Sequence, residues 1–390
     1  METICGGRGL GTWNSGVDGT RKAAGTAAVR PSEVSRDWGR HRARSAGARF
    51  PFAFAVAARH FEGVKPALVL LASLLAATLP TLGADPWVVD EPAAGKANGK
   101  HVVLLSGDEE YRSEESMPML GKLLSQRHGF KCTVLFSQTA DGLVDPNNSS
   151  NVPGMHLLAG VDLVFNAFRF RELADADMKH FVDYLDSGKP MIVIRTATHA
   201  FNYTRNKNSP YAKYSFGAPG GGFGGLTVGE TWTYHHGEHG KEASRGLLDG
   251  KNQKHPILKA VRDVWGPTDV YGVNPDFPAD ASVLLWGQTL KAMDPADAPN
   301  LNKAIMPLVW LRDYTGPSGK TSKFLCSTIG AAVDLKSEDL RRLFVNATFH
   351  LTGLPVPDKA DATPIGTFEP TYFGFNGYKK GVKVADHALK

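Results

Sequence analysis

The chain has 390 residues, 42% hydrophobic and 21% charged, which is ordinary for a globular protein and enough for one large or two ordinary domains. Its net charge of +5 is unevenly placed: residues 1–60 hold ten Lys or Arg against four Asp or Glu, while the remaining 330 hold 34 against 35. The basic surplus belongs to the leader, so composition excludes a basic nucleic-acid-binding domain.

Residues 1–63 are rich in Gly, Ala, Arg and Ser, lack a helical or alternating period, and read as a disordered leader outside the fold. Lys65, the apolar run 67–79 and the small-residue exit Pro80-Thr81-Leu82-Gly83-Ala84 make a secretory signal peptide over 64–84. Cleavage is expected after Ala84, with no stable membrane insertion afterwards and a destination in the periplasm or cell envelope. Two readings of the leader stay open. Translation starts near Val64, or the extension is real and masks or delays export; finding Met1 on the intact precursor would exclude the first.

The ordered domain is expected over 100–354. His101-Val102-Val103-Leu104-Leu105 reads as a strand, Ser113 as the cap of a helix reaching about His128, and 130–136 and 162–166 as further strands. A second amphipathic helix follows over 175–185. Then comes the apolar run Met191-Ile192-Val193-Ile194, which stops at Arg195-Thr196-Ala197-Thr198-His199. Strands are expected again near 281–286, 305–311 and 323–327, and Ser337 caps a last helix ended by Gly353 and Pro355. Alternating strands and helices predict a three-layer α/β fold of flavodoxin-like type, a mostly parallel sheet with helices on both faces. The segment 355–390, with Phe368, Tyr372, Phe373, Phe375 and Tyr378, is too aromatic for a solvated tail and is expected to pack back on the domain, with sugar stacking as the alternative. Cys132 and Cys326 read as buried thiols, with a bridge between them left open.

In such sheets ligands bind beyond the carboxyl ends of the strands. Three loops should meet there, bringing Asp108, Glu109, Arg169, Arg195 and His199 together, with Phe168 and Phe170 as walls. These groups suit a carbohydrate or another small polar ligand. An equally physical reading makes the acids and arginines ion pairs that only close the loops. His199, whose ordinary pKa lies near neutrality, is the first candidate for proton transfer, with Glu109; Arg195 and Thr198 sit beside it.

The irregular stretch 202–254 contains Pro219-Gly220-Gly221-Gly222-Phe223-Gly224-Gly225, which lacks the Lys-Ser or Lys-Thr of a phosphate-binding loop. It also carries His235, His236 and His239. No cofactor is predicted, with a divalent metal on these histidines left open; Gly237 and Gly240 argue against the helix that would put His235 and His239 on one face. No cysteine or serine follows the strand ending at Ile194, so a nucleophile elbow is absent there. Oligomeric state is not legible.

The elements His101 to Gly107, Val193 to Phe201, His255-Pro256-Ile257-Leu258, Thr268-Asp269-Val270-Tyr271, Met306 to Trp310, Ser327 to Ala332 and Arg341 to Ala347 run in an order that resembles the ThuA-like (trehalose utilisation) family. The resemblance implies a class I glutamine amidotransferase-like fold, a carbohydrate context, and roles for Asp269 and Tyr271 in ligand binding. Where many members carry Gly-x-His after this strand, this chain has Ile194-Arg195 and a histidine only at 199. The expected function is an exported protein acting on or binding a sugar, without a cysteine nucleophile. The alternative is a non-catalytic glycan- or protein-binding module on the same scaffold.

Overall fold

The computed structural model describes residues 85–389 apart from Pro275. The leader with Cys5 and the signal peptide lie outside the described residues. Ten strands form one sheet: β1 (Trp87–Asp90), β2 (His101–Gly107), β3 (Lys131–Phe136), β4 (Leu163–Phe168), β5 (Met191–Ile194), then β7 (Ser244–Leu248), β8 (Val264–Gly266), β10 (Ser282–Thr289), β11 (Met306–Thr315) and β12 (Thr321–Ser327). A separate two-stranded ladder joins β6 (Tyr234–His235) to β9 (Tyr271–Gly272).

The strands read as unbroken apolar runs because both faces are covered. Val102 and Leu104 of β2 and Ile192 and Ile194 of β5 enter one core; Val103, Leu105, Met191 and Val193 enter the other. Helix α1 (Ser113–His128) packs into the first core and α2 (Asp175–Leu185) into the second. The short α3 (Gly222–Thr227) adds Phe223 to the second core, and α4 (Glu338–Leu351) adds Leu340, Leu343 and Phe344 to the first. The α/β layering expected from the sequence is therefore present.

The sheet is mixed rather than mostly parallel. Its order is β1-β3-β2-β4-β5-β12-β11-β10-β7-β8. The neighbours from β3 to β12 pair in parallel, whereas β12-β11, β11-β10, β10-β7, β7-β8 and the edge pair β1-β3 are antiparallel. The cause is connection length. A parallel neighbour needs a crossover of a dozen or more residues, usually a helix, and no helix lies between β10 and β12. Gly316-Pro317-Ser318-Gly319 instead closes a tight hairpin, with Gly316 N–H on Lys320 C=O at 3.0 Å.

Two local differences from the sequence reading stand out. Strand β1 extends the sheet ahead of Lys100, with Val88 and Asp90 buried. Ser113 does not cap α1: it is the first helical residue, and its hydroxyl accepts from Asp108 N–H at 3.1 Å while Arg112, at φ 62°, occupies the cap position. Ser337 does cap α4, accepting from Leu340 N–H. The tail packs back through Val356, Ala360, Ala362, Phe373 and Val384. Cys132 and Cys326 are buried free thiols on β3 and β12, with three strands between them, which leaves no room for a bridge. No helix among the described residues is long and apolar enough to cross a membrane.

Candidate functional site

Beyond the carboxyl ends of β2, β4 and β5 lies a cavity of about 430 Å³. Its lining comes from loops far apart in sequence: Glu110, Tyr111, Arg169, Phe170, His199, Trp232, His235, His239, Tyr271, Gly374 and Phe375.

The loop after β2 is shaped by Asp108, whose Oδ1 accepts the N–H groups of Glu110 (2.7 Å) and Tyr111 (3.0 Å). Its Oδ2 accepts the Thr196 hydroxyl, tying this loop to the one after β5. Asp108 is thus a buried turn former and does not line the cavity. Glu109 turns away from His199 and pairs with Arg169 and with Arg171, the latter at 2.7 Å. Phe168 is fully buried against Phe201 and belongs to the core; Phe170 is the wall. Thr198 is buried, donating to Arg195 C=O at 3.2 Å. Phe170 and Arg195 have φ of 51° and 45°, the left-handed region that non-glycine residues enter at a cost of about 1–3 kcal/mol.

Arg195 is a buried cation whose Nη donors are partnered while its Nε is not. Its Nη1 donates to the carbonyls of Asp269 (3.2 Å) and Thr328 (2.8 Å), and its Nη2 to Asp269 Oδ1 at 2.9 Å. The guanidinium sits between the rings of Tyr111 and Tyr271, 4.1 and 4.4 Å from their centroids. Asp269 is the hub. Its Oδ1 also accepts His239 Nδ1 at 3.0 Å, and its Oδ2 accepts His235 Nδ1 at 2.7 Å. Burial alone would raise this carboxyl, but Arg195 and the two imidazole hydrogen bonds hold it far below the usual carboxylate range.

His239 reaches a second carboxylate, Glu110 Oε1, through Nε2 at 3.3 Å. Hydrogen bonds to Asp269 and Glu110 outweigh burial and push its pKa up to about 9. At neutral pH it is an imidazolium. For Glu110 burial is again outweighed, by His239, Arg169 and Arg195, and the carboxyl lies below its ordinary value. His199 goes the other way: burial, then the charges of Arg169, Arg195 and His235, hold it well below 6.5, so its imidazole is neutral. Its neighbours are the rings of Phe170, Phe216 and Trp232 and the hydroxyl of Thr198, at 3.3 Å from Nδ1, with no carboxylate in reach.

Local sequence explains the histidine loop. His235 is fixed by the β6–β9 ladder opposite Tyr271, and His236 and Gly237 both donate from the main chain to Val270 C=O. A Cβ at Gly237 would stand 3.0 Å from the Cβ of Asp269, so glycine lets the chain turn here and bring His239 back. His236 leaves the group, its Nε2 donating to Ala304 C=O at 2.8 Å. The histidine set expected to hold a metal therefore becomes His235, His239 and Asp269, whose candidate ligand atoms lie within 4.8 Å of one another. The glycine tract is packing, not phosphate binding: a Cβ at Gly224 would meet Thr198 C=O at 2.2 Å and Glu230 C=O at 2.4 Å.

Of the residues expected at the site, Arg169, His199, His235, His239 and Tyr271 line the cavity and Arg195 and Asp269 build its floor, while Asp108, Glu109, Phe168, Thr198 and His236 do not reach it. Sequence reasoning missed Glu110, Tyr111 and Trp232, and placed Phe375 only among the tail aromatics. Glu110 and Tyr111 stand beside the expected Asp108 and Glu109, and Trp232 lies three residues before His235, so proximity was the available signal.

No protein-family model and no curated protein matches the chain. Among solved structures it is similar to a ThuA-like protein from Parabacteroides merdae, at 13% identity and a TM-score of 0.44, covering 66% of this chain and 92% of that one. A ThuA-like protein from Bacteroides uniformis gives 15% identity, a TM-score of 0.41 and coverage of 66% and 94%. The chain resembles ThuA-like proteins. The mmIFT52 N-terminal domain is also similar, at 13% identity, a TM-score of 0.35 and coverage of 64% and 97%.

Proposed function

We propose that this is an exported protein whose cavity binds a sugar or sugar derivative and moves protons on it. One observation carries the reading: a buried carboxylate, Asp269, orients two imidazoles at the edge of an aromatic-walled cavity. An ionised carboxylate only accepts, so Asp269 fixes the proton of His235 on Nδ1 and leaves Nε2 free to take a proton from a ligand hydroxyl. The same carboxylate-to-imidazole orientation serves the serine hydrolase triads, there with a nucleophile between imidazole and substrate. Here none of the lining residues is Ser or Cys, so His235 acts directly as the base. His239, kept cationic by Asp269 and Glu110, places positive charge where an alkoxide develops. This assignment replaces the pair His199 and Glu109; His199 supplies a neutral wall.

The parallel block supports the flavodoxin-like class. Numbered within itself, β3-β2-β4-β5-β12 has the order 2-1-3-4-5, and the cavity lies at the carboxyl ends on either side of the switch between β2 and β4. Turnover of a saccharide panel, followed by NMR of the products, tests the proposal. Loss of turnover in His235→Asn with binding retained supports it; unchanged turnover removes the base assignment.

A second reading rests on the same residues. His235, His239 and Asp269 offer two imidazoles and a carboxylate, a donor set that suits Zn²⁺ or another divalent ion, which would polarise a ligand oxygen. Metal uptake by His239 would displace the proton on the ligating ring nitrogen, and so would lower the pH of a weakly buffered solution. Elemental analysis decides between the two. One bound equivalent that Asp269→Ala abolishes favours the metal; none after incubation with Zn²⁺ or Mn²⁺ favours the proton-transfer site.

A further inference from the structure

The C-terminal segment closes one side of the cavity, although it lies more than 260 residues beyond the loop it touches. Gly374 N–H donates to Glu110 C=O at 2.8 Å, and Arg112 Nη2 donates to Gly374 C=O. Gly374 has φ 137°, a backbone open to glycine alone. It divides two aromatics with opposite fates. Phe373 is 9% exposed and packs on Tyr111 and His239, at 5.5 and 5.1 Å between ring centroids. Phe375 is 58% exposed; Tyr372 is exposed too, but only Phe375 of the two lines the cavity.

The other aromatic faces of the cavity are largely engaged. Tyr111 and Tyr271 each give a face to Arg195. Phe170 carries Arg169 at 4.6 Å and His199 at 5.0 Å. Phe375 has Arg169 5.0 Å from its centroid and, among the described residues, no other aromatic ring against it. An aromatic ring left in water on a rigid segment contributes little to folding, and it offers a flat apolar surface backed by a cation.

We propose that Phe375 is the specificity-determining platform of the cavity, on which the apolar C–H face of a pyranose ring stacks. The inference rests on the saccharide reading above and deepens it: the ligand is a cyclic sugar, not an acyclic polyol. Residues 372–376 thereby belong to the site as a fixed wall, joined to it through Gly374.

The test uses the full chain with maltose, trehalose, cellobiose, methyl glucosides and the acyclic D-glucitol as probes, by calorimetry and saturation-transfer NMR. Wild type is expected to bind at least one cyclic probe and to discriminate against glucitol. Phe375→Ala should weaken that binding roughly ten-fold and erase the discrimination, with an unchanged melting temperature, and Phe375→Trp should restore it. Equal binding by wild type and Phe375→Ala overturns the stacking proposal alone. A wild-type chain that binds none of the probes overturns the saccharide reading and the platform with it.

Discussion

Two charged clusters built from similar residue types sit side by side at the same sheet edge. In one, Glu109 joins Arg169 and Arg171, and the remaining donors of Arg171 end on Ser137 Oγ and on the carbonyls of Pro146, Asn148 and Arg169, at 2.7–3.1 Å. In the other, Asp269 joins Arg195, His235 and His239, and the imidazole side chains stay 35% and 32% exposed at the cavity. The Glu109–Arg171 part of the first cluster is satisfied by the protein and closes loops, while Arg169 reaches the cavity. The second is anchored on its buried side, where Arg195 Nε lacks a partner, and leaves its imidazoles facing the cavity. Charge at strand ends therefore does not mark a site; capacity left facing a cavity does.

Arg195 belongs to the buried side of the second cluster, and its removal should have the largest effect. Arg195→Ala leaves the Asp269 carboxylate buried without its cation, which costs about 3–5 kcal/mol. Urea unfolding should show this as a lower midpoint with an unchanged slope. A loss below 1 kcal/mol would mean that water replaces the guanidinium and that the floor is less closed than described.

His235 tests the open side. His235→Asn should leave the urea midpoint nearly unchanged and lower saccharide turnover by roughly 100-fold, the low end for a general base. Glu109→Gln should do the reverse: about 1–3 kcal/mol of stability lost with its charge-assisted bonds, and saccharide affinity held. If Glu109→Gln abolished binding while His235→Asn did not, the assignment of the two clusters would be exchanged.

The smallest effect is on pH dependence. His239 has a folded pKa of about 9, above its ordinary 6.5, so its hydrogen bonds contribute fully below pH 6.5 and are lost as pH rises through 9. The melting temperature should fall across that window, and Asp269→Asn should flatten the fall. A melting temperature that rises between pH 7 and 9 would contradict a cationic His239.

Much of this was legible in the sequence. Unbroken apolar runs such as Met191 to Ile194 announce strands covered on both faces, and the abrupt polar stop at Arg195 announces the functional edge. The antiparallel half was not legible, because β10, β11 and β12 have the same apolar character as the parallel strands and only connection length distinguishes them. Side-chain partnering was not legible either. Asp108 and Glu109 read as site residues from position, yet an aspartate two residues before free N–H groups folds back on them, and Glu109 lies between two arginines from another loop. Phe375 carried only an aromatic-tail signal, since contact with Arg169 across more than 200 residues leaves no local pattern.

The central claim is that His235 and His239, organised by Asp269, form the ligand-facing edge of the cavity. The most direct measurement is an NMR titration of the imidazole resonances with the cyclic saccharide that binds best. The account predicts that His235 and His239 shift together with ligand occupancy, that His239 stays protonated to about pH 9, and that His101 and His255 do not respond. Saccharide-induced shifts confined to other histidines, or a His239 that titrates near 6.5, would contradict it.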